Sequence, residues 1–140
     1  MPLNHTSKYS ELTDEQFLLI GKIVIEFSNL EFLLGVLLSR LLITPEFLGR
    51  TYTDQMNAFS ILEAIDNALE IHCRRYSYKI ITEQNVLQIK IILQDIKTFR
   101  PLRNKFAHFC WSRSNDNEIF GTKLSGKLPN TKKNAESVLI

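Results

Sequence analysis

The sequence predicts an all-α fold, a small antiparallel helical bundle with a short C-terminal β-hairpin, and three observations carry that expectation. Apolar residues recur at three- and four-residue steps over three long segments. Each segment opens on a Thr with an acidic neighbour, at Thr13-Asp14, Thr53-Asp54 and Thr82-Glu83. Beyond His108 the pattern changes to short β-prone runs around a polar turn. A chain of 140 residues, 44% hydrophobic and 23% charged, suffices for one ordinary core. A single domain is therefore expected over residues 1–125, with a polar tail over residues 126–140 that is disordered or docks on a partner through Val138-Leu139-Ile140.

Residues 1–11 read as a loose leader without the basic start and apolar run of a secretory signal, so a cytoplasmic location is expected. Thr13 and Gln16 then form a capping-box pattern that starts the first helix. Ile20, Ile23, Phe27, Leu30, Leu34, Leu37 and Leu41 make one continuous stripe, and the helix is expected to end near Leu42. Lys22, Glu26, Asn29 and Arg40 share a narrow polar strip at about 100° per residue, whereas Phe17, Ile25, Phe32 and Val36 form a second apolar flank. One flank can face the core; the other suits a homodimer through the first helix. Glu31 stands off the polar strip, either paired with a cation or snorkelling from the stripe's edge. Charges at Lys22, Glu26, Glu31 and Arg40 break the apolar run from Phe17 to Leu42, which argues against a membrane span.

Thr44-Pro45 and Gly49 mark a break. A second helix is expected from Thr53-Asp54 to about Arg75, with Phe59, Leu62, Ile65 and Leu69 inward. Tyr76 to Ile81 links to a third, which starts at Thr82-Glu83 and carries Val86, Ile89, Leu93 and Ile96 on one face. Proline disfavours helix in the residue before it, so Arg100 is the expected kink or boundary and residues 101–108 a short restart. Phe109 to Arg113 and Ile119 to Leu124, separated by Ser114-Asn115-Asp116-Asn117, predict the hairpin.

The net charge of +2 conceals an asymmetry, since residues 1–70 hold ten carboxylates against four basic side chains, and residues 71–140 thirteen basic side chains against five carboxylates. Lys97, Arg100, Arg103, Lys105 and Arg113 fall in a stretch, Ile96 to Asn115, with no carboxylate. Such a stretch attracts a polyanion, or the basic half neutralises the acidic half within the chain or across a dimer. Cys73 and Cys110, far apart and outside any C-x-x-C pairing, read as reduced thiols. His72, Cys73, His108 and Cys110 are ligand types that suit zinc, but their spacing matches no familiar site, so no metal is expected. Scattered glycines form neither a P-loop nor a dinucleotide turn, and no cofactor is expected.

The candidate site is Arg103, Asn104 and His108. In a helix, Asn104 and His108 lie four apart on one face, where an amide can orient an imidazole. Arg103, five residues before His108, diverges from it by ~140°. A kink at Pro101, fraying of the helix end or a second copy across a two-fold axis would bring the two together. Metal-free RNA cleavage needs a base for the ribose 2′-hydroxyl, a proton for the leaving oxygen and cations at the phosphate, roles that histidine and arginine suit. Arg100, Lys105 and Arg113 are candidate RNA-binding cations. Phe106, Phe109 and Trp111 interleave with them and are either base-stacking or core; Trp111 is the one expected at the surface.

Arg103-Asn104-x-x-x-His108, with Ala107 before the histidine and three amphipathic helices ahead of it, resembles the HEPN superfamily (higher eukaryotes and prokaryotes nucleotide-binding domain) over roughly Leu12 to Leu124. The family motif is Arg, four to six residues, then His, often with a polar residue directly after the Arg. The resemblance implies a helical, usually dimeric domain, with Arg103 and His108 catalytic and Asn104 supporting, in a metal-independent endoribonuclease of the toxin or phage-defence type. It also admits a non-catalytic module that binds nucleic acid or protein. An antitoxin or regulatory protein is compatible with either role. A nucleotidyltransferase antitoxin is not expected, because Cys110 stands where its HEPN partners carry the modified Tyr.

Overall fold

Thr13 and Gln16 cap the first helix reciprocally. The Gln16 backbone N–H donates to Thr13 Oγ1 (3.2 Å), and the Thr13 N–H donates to Gln16 Oε1 (2.9 Å). From that cap, α1 runs over Asp14–Leu41 in the computed structural model, which describes residues 11–75, 81–124 and 135–140. Three further helices follow, α2 (Glu46–Thr53), α3 (Ala58–Arg75) and α4 (Glu83–His108), and then β1 (Cys110–Asn115), β2 (Glu118–Leu124) and β3 (Ala135–Leu139). The fold is mostly helical with a C-terminal hairpin, as the periodicity predicts. By contacts the chain divides into two compact units, one holding residues up to Glu26 and from Arg100 onward, the other Phe27–Phe99.

In the Phe27–Phe99 unit, Leu34, Leu38 and Leu41 of α1 share a core with Leu62, Ile65 and Leu69 of α3 and Val86, Leu93 and Ile96 of α4. Lys90 Nζ donates to Glu70 Oε1 (3.0 Å), and Lys97 bonds Asp66, so α3 and α4 run antiparallel. The Lys90 hydrogen bond, reinforced by the charges of Lys90 and Arg74, holds the Glu70 carboxyl below the usual carboxylate range. His72 is buried and donates Nε2–H to the Leu41 carbonyl (2.7 Å), which lies in the last turn of α1.

Four local expectations about the helices need correction. The segment read as a break after Leu42 contains the short helix α2, entered at Pro45. The next helix starts at Ala58, not near Thr53-Asp54, because the Asn57 side chain accepts the Ser60 N–H (2.9 Å) and supplies the cap. Phe59 lies in the first turn of α3 and is 53% exposed instead of facing inward. Arg100 is not a helix boundary and residues 101–108 are not a separate helix, since α4 continues through Pro101 to His108. Linker residues 76–80 and the leader up to residue 10 lie outside the described residues.

Close packing explains two features of the α1–α2 corner. Ile43 adopts φ 56°, while its N–H donates to the Arg40 carbonyl (3.0 Å) and the Thr44 N–H to the Ser39 carbonyl (3.1 Å). This is a Schellman ending with a β-branched residue at the left-handed position where glycine is usual. At Gly49 a Cβ would stand 2.2 Å from Ser39 Oγ, and Ser39 is fully buried.

The second unit has its own core of Leu12, Phe106, Trp111 and Ile119, with Ile20, Ile23, Val24 and Phe109 packed against it. The hairpin turns at Asp116-Asn117, and β1 pairs antiparallel with β2 in the register Trp111↔Gly121, with an irregularity between Arg113 and Asn115. Gln16 Nε2 donates to the carbonyls of Asn115 (3.1 Å) and Asp116 (3.3 Å), tying the hairpin tip to the start of α1. The tail expected from Gly126 is corrected in part: Ala135–Leu139 is a strand, antiparallel to β2, in a sheet of order β1-β2-β3. Residues 125–134 lie outside the described residues.

Gly49→Ala is expected to lower unfolding stability by about 3 kcal/mol, because a buried methyl meets Ser39 with no room to relax. Gly21→Ala is expected to raise it by ~0.5–1 kcal/mol, since no atom lies within 4 Å of a Cβ built at that mid-helix position. Urea unfolding followed by circular dichroism measures both.

Candidate functional site

All the residues singled out by the motif lie on the last turns of α4 and on β1. Arg103 and Asn104 are half-buried, and His108, the last residue of α4, is exposed. Because α4 is helical from Glu83 to His108, Arg103 and His108 point ~140° apart. The Phe109 N–H donates to the Lys105 carbonyl (2.9 Å), so the helical ladder reaches the end of the segment without fraying. The frayed end is thereby absent, and a bend at Pro101, which precedes both residues, leaves the divergence of Arg103 and His108 unchanged.

Asn104 lies four residues before His108, as the spacing requires, but its Oδ1 accepts a hydrogen bond from Arg103 Nη1 (3.0 Å). The amide carbonyl therefore orients the guanidinium and not the imidazole. Arg100 and Lys105 are half-buried on α4, where their stems can pack while their charged ends reach solvent. Arg113, on β1, forms an ion pair with Asp116 at the hairpin turn (3.1 Å).

Trp111 overturns the expectation of an exposed, base-stacking indole, because it is only 8% exposed. Its ring stacks on Phe106 at a centroid distance of 5.1 Å and on Phe109 at 6.1 Å. Nε1–H donates to the carbonyls of Lys105 and Phe106, each at 3.3 Å. The Lys105 carbonyl also accepts the Phe109 N–H, whereas the Phe106 carbonyl is one of the last of α4 that the helical ladder leaves without a partner. Trp111 is thus a side-chain cap on the turn that carries His108. Phe106 is buried, in keeping with the core alternative.

Gly121 is a structural residue of the site that the motif does not reveal. It lies directly across the ladder from Trp111, and a Cβ there would stand 2.7 Å from Cζ3 of the indole. The only sequence signal is a glycine inside a β-prone run, which marks a close approach. Among the described residues no group of three or more His, Cys, Asp or Glu side chains is arranged to hold a metal ion. Cys73 and Cys110 are both free and exposed. No described helix is long and apolar enough to cross a membrane.

No protein-family model, curated protein or solved structure matches this chain.

Trp111 is the protein's one tryptophan and serves as a reporter. Its emission is expected to be blue-shifted and weakly quenched by acrylamide. Gly121→Ala is expected to shift the emission to the red, increase quenching and lower stability by about 2 kcal/mol, as the indole is pushed off its seat.

Proposed function

We propose that this chain is a metal-independent endoribonuclease of the HEPN type, acting as a homodimer in the cytoplasm as a toxin or phage-defence effector. The observation that carries the reading is the unbroken α4. It presents an exposed His108 at a capped helix end and holds Arg103 on a diverging face, so that histidine and arginine meet only when a second copy supplies the other. The surrounding sequence from Ile96 to Asn115 has no carboxylate to repel an RNA phosphate.

The proposed chemistry uses two histidines across the two-fold axis. One His108 takes the proton of the ribose 2′-hydroxyl, whose oxygen attacks the adjacent phosphorus. The P–O5′ bond breaks, and the other His108, protonated, gives its proton to the leaving 5′-oxygen. Arg103, steadied by Asn104, faces the phosphoryl oxygens where negative charge grows. Arg100, Lys105 and Arg113 attract the flanking backbone. Trp111 is excluded from RNA contact by its burial and acts through the helix end it caps.

The dimer surface in this reading is the second flank of α1. Ile25 is 61% exposed and Phe32 47%, a large apolar area for a single chain to leave in water. One observation favours a second reading. Asn104 is bound to Arg103, and no Arg103–His108 pair exists within the chain, which a non-catalytic nucleic-acid or protein-binding module also permits.

Labelled RNA incubated with the protein in EDTA decides between them. Wild type is expected to cleave it and leave 2′,3′-cyclic phosphate ends, and His108→Ala to cleave at least ~100-fold more slowly. RNA bound without cleavage by either form would establish the binding module. Ile25→Glu, at an exposed position, is expected to yield monomers by analytical ultracentrifugation and to lose cleavage in step with the dimer; monomers that cleave at the full rate would refute the shared site.

A further inference from the structure

The end of α1 and the first turns of α4 form the walls of a groove of about 330 Å³ within the Phe27–Phe99 unit. Its floor is aliphatic, with Leu37 and Leu41 from α1, Ile89 and Ile92 from α4, and Ile81 just before α4. The remaining lining residues are Arg40, Asn85 and Gln88, so among the described residues one cation faces the groove and no carboxylate does. Arg40 is exposed and, among the described residues, has no ion pair, whereas Arg50, Arg74 and Arg113 are each paired with a carboxylate. Small-ligand sites combine this kind of apolar lining with a few polar groups that fix the ligand's orientation, at volumes from ~300 Å³ upward.

We infer that this groove binds a small aliphatic carboxylate, with its tail on the leucine and isoleucine floor and its head on Arg40. The guanidinium fork presents two parallel N–H donors, which match the two oxygens of a carboxylate. One cation neutralises a monoanion, whereas a phosphate dianion would retain uncompensated charge. The Asn85 and Gln88 amides add neutral donors at the rim. The described apolar lining is aliphatic without an aromatic side chain, which gives a flexible alkyl tail dispersion contacts and offers a planar ring no described partner to stack on. The site is independent of the ribonuclease reading, and its test involves no RNA.

Octanoate titrated into the 140-residue chain, followed by amide NMR, is expected to saturate at one molecule per chain, with shifts confined to residues lining the groove. Arg40→Gln is expected to weaken octanoate binding by about tenfold or more, the loss that follows from removing a charge-assisted hydrogen bond. Octanol, the same tail without the charge, is expected to bind wild type and Arg40→Gln alike. Ile92→Glu, at a position 55% exposed and therefore tolerant of substitution, places a charge in the aliphatic floor that takes the tail and is expected to abolish binding of both octanoate and octanol. Equal octanoate affinity for wild type and Arg40→Gln, non-saturable binding, shifts outside the groove, or tighter binding of octyl phosphate than of octanoate would each overturn the assignment.

Discussion

The hydrogen bonds from one indole N–H to two carbonyls at the end of α4 are the constraint on which the C-terminal part of the molecule depends. A helix end exposes carbonyls without partners, and a proline in the interior costs a helix ~3 kcal/mol. On local rules the seven residues after Pro101 have little reason to remain helical with those before it. Trp111 supplies the reason from β1, because it caps the Lys105 and Phe106 carbonyls and stacks on the Phe106 ring. Its position depends in turn on Gly121, which leaves the facing strand bare. Glycine, indole and helix end form a short chain of cause, with His108 at its far end.

The geometry of the proposed site follows from that continuity. A chain that left the helix between Arg103 and His108 could gather arginine, amide and imidazole around one phosphate by itself. The continuous α4 spends the Asn104 carbonyl on Arg103 and turns His108 to another face. Catalysis in the proposed reading is therefore a property of assembly, and a monomer would carry the motif without the site. The apolar flank of α1 and the divergence on α4 are separate features of the sequence, and the proposed dimer would account for both.

What was legible in the sequence was local. The Thr13–Gln16 capping box, the Thr82 cap of α4, the leucine and isoleucine stripes and the Asp116-Asn117 turn all rest on residues a few positions apart, and the structure has them. The misreadings share a non-local cause. Gly49 looked like a breaker but is the point where α2 approaches buried Ser39. Pro101 obeys a local rule that Trp111 overrides. Trp111 looked exposed beside a basic motif because Phe106 and Gly121, which bury it, come together only in the folded hairpin. β3 pairs with β2 across ten intervening residues, and no alternation in its own short run announces a partner. For the candidate site, residue identities were legible and their mutual geometry was not, since it depends on whether one helix continues past Pro101.

Gln16 joins the first helical turn to carbonyls 99 and 100 positions further along the chain. The unit it helps close is built from both ends of the described sequence, with the Phe27–Phe99 unit inserted between them. On a ribosome, which delivers residues in order, the inserted helices are complete while the first turn of α1 still waits for its hairpin. Contacts of such long sequence separation form late, because loop closure must come first. His108 therefore emerges on an uncapped helix end and gains its final setting only after Trp111 and Gly121 have been translated and paired. A chain with this topology leaves the setting of His108 unfinished until the last part of its own synthesis.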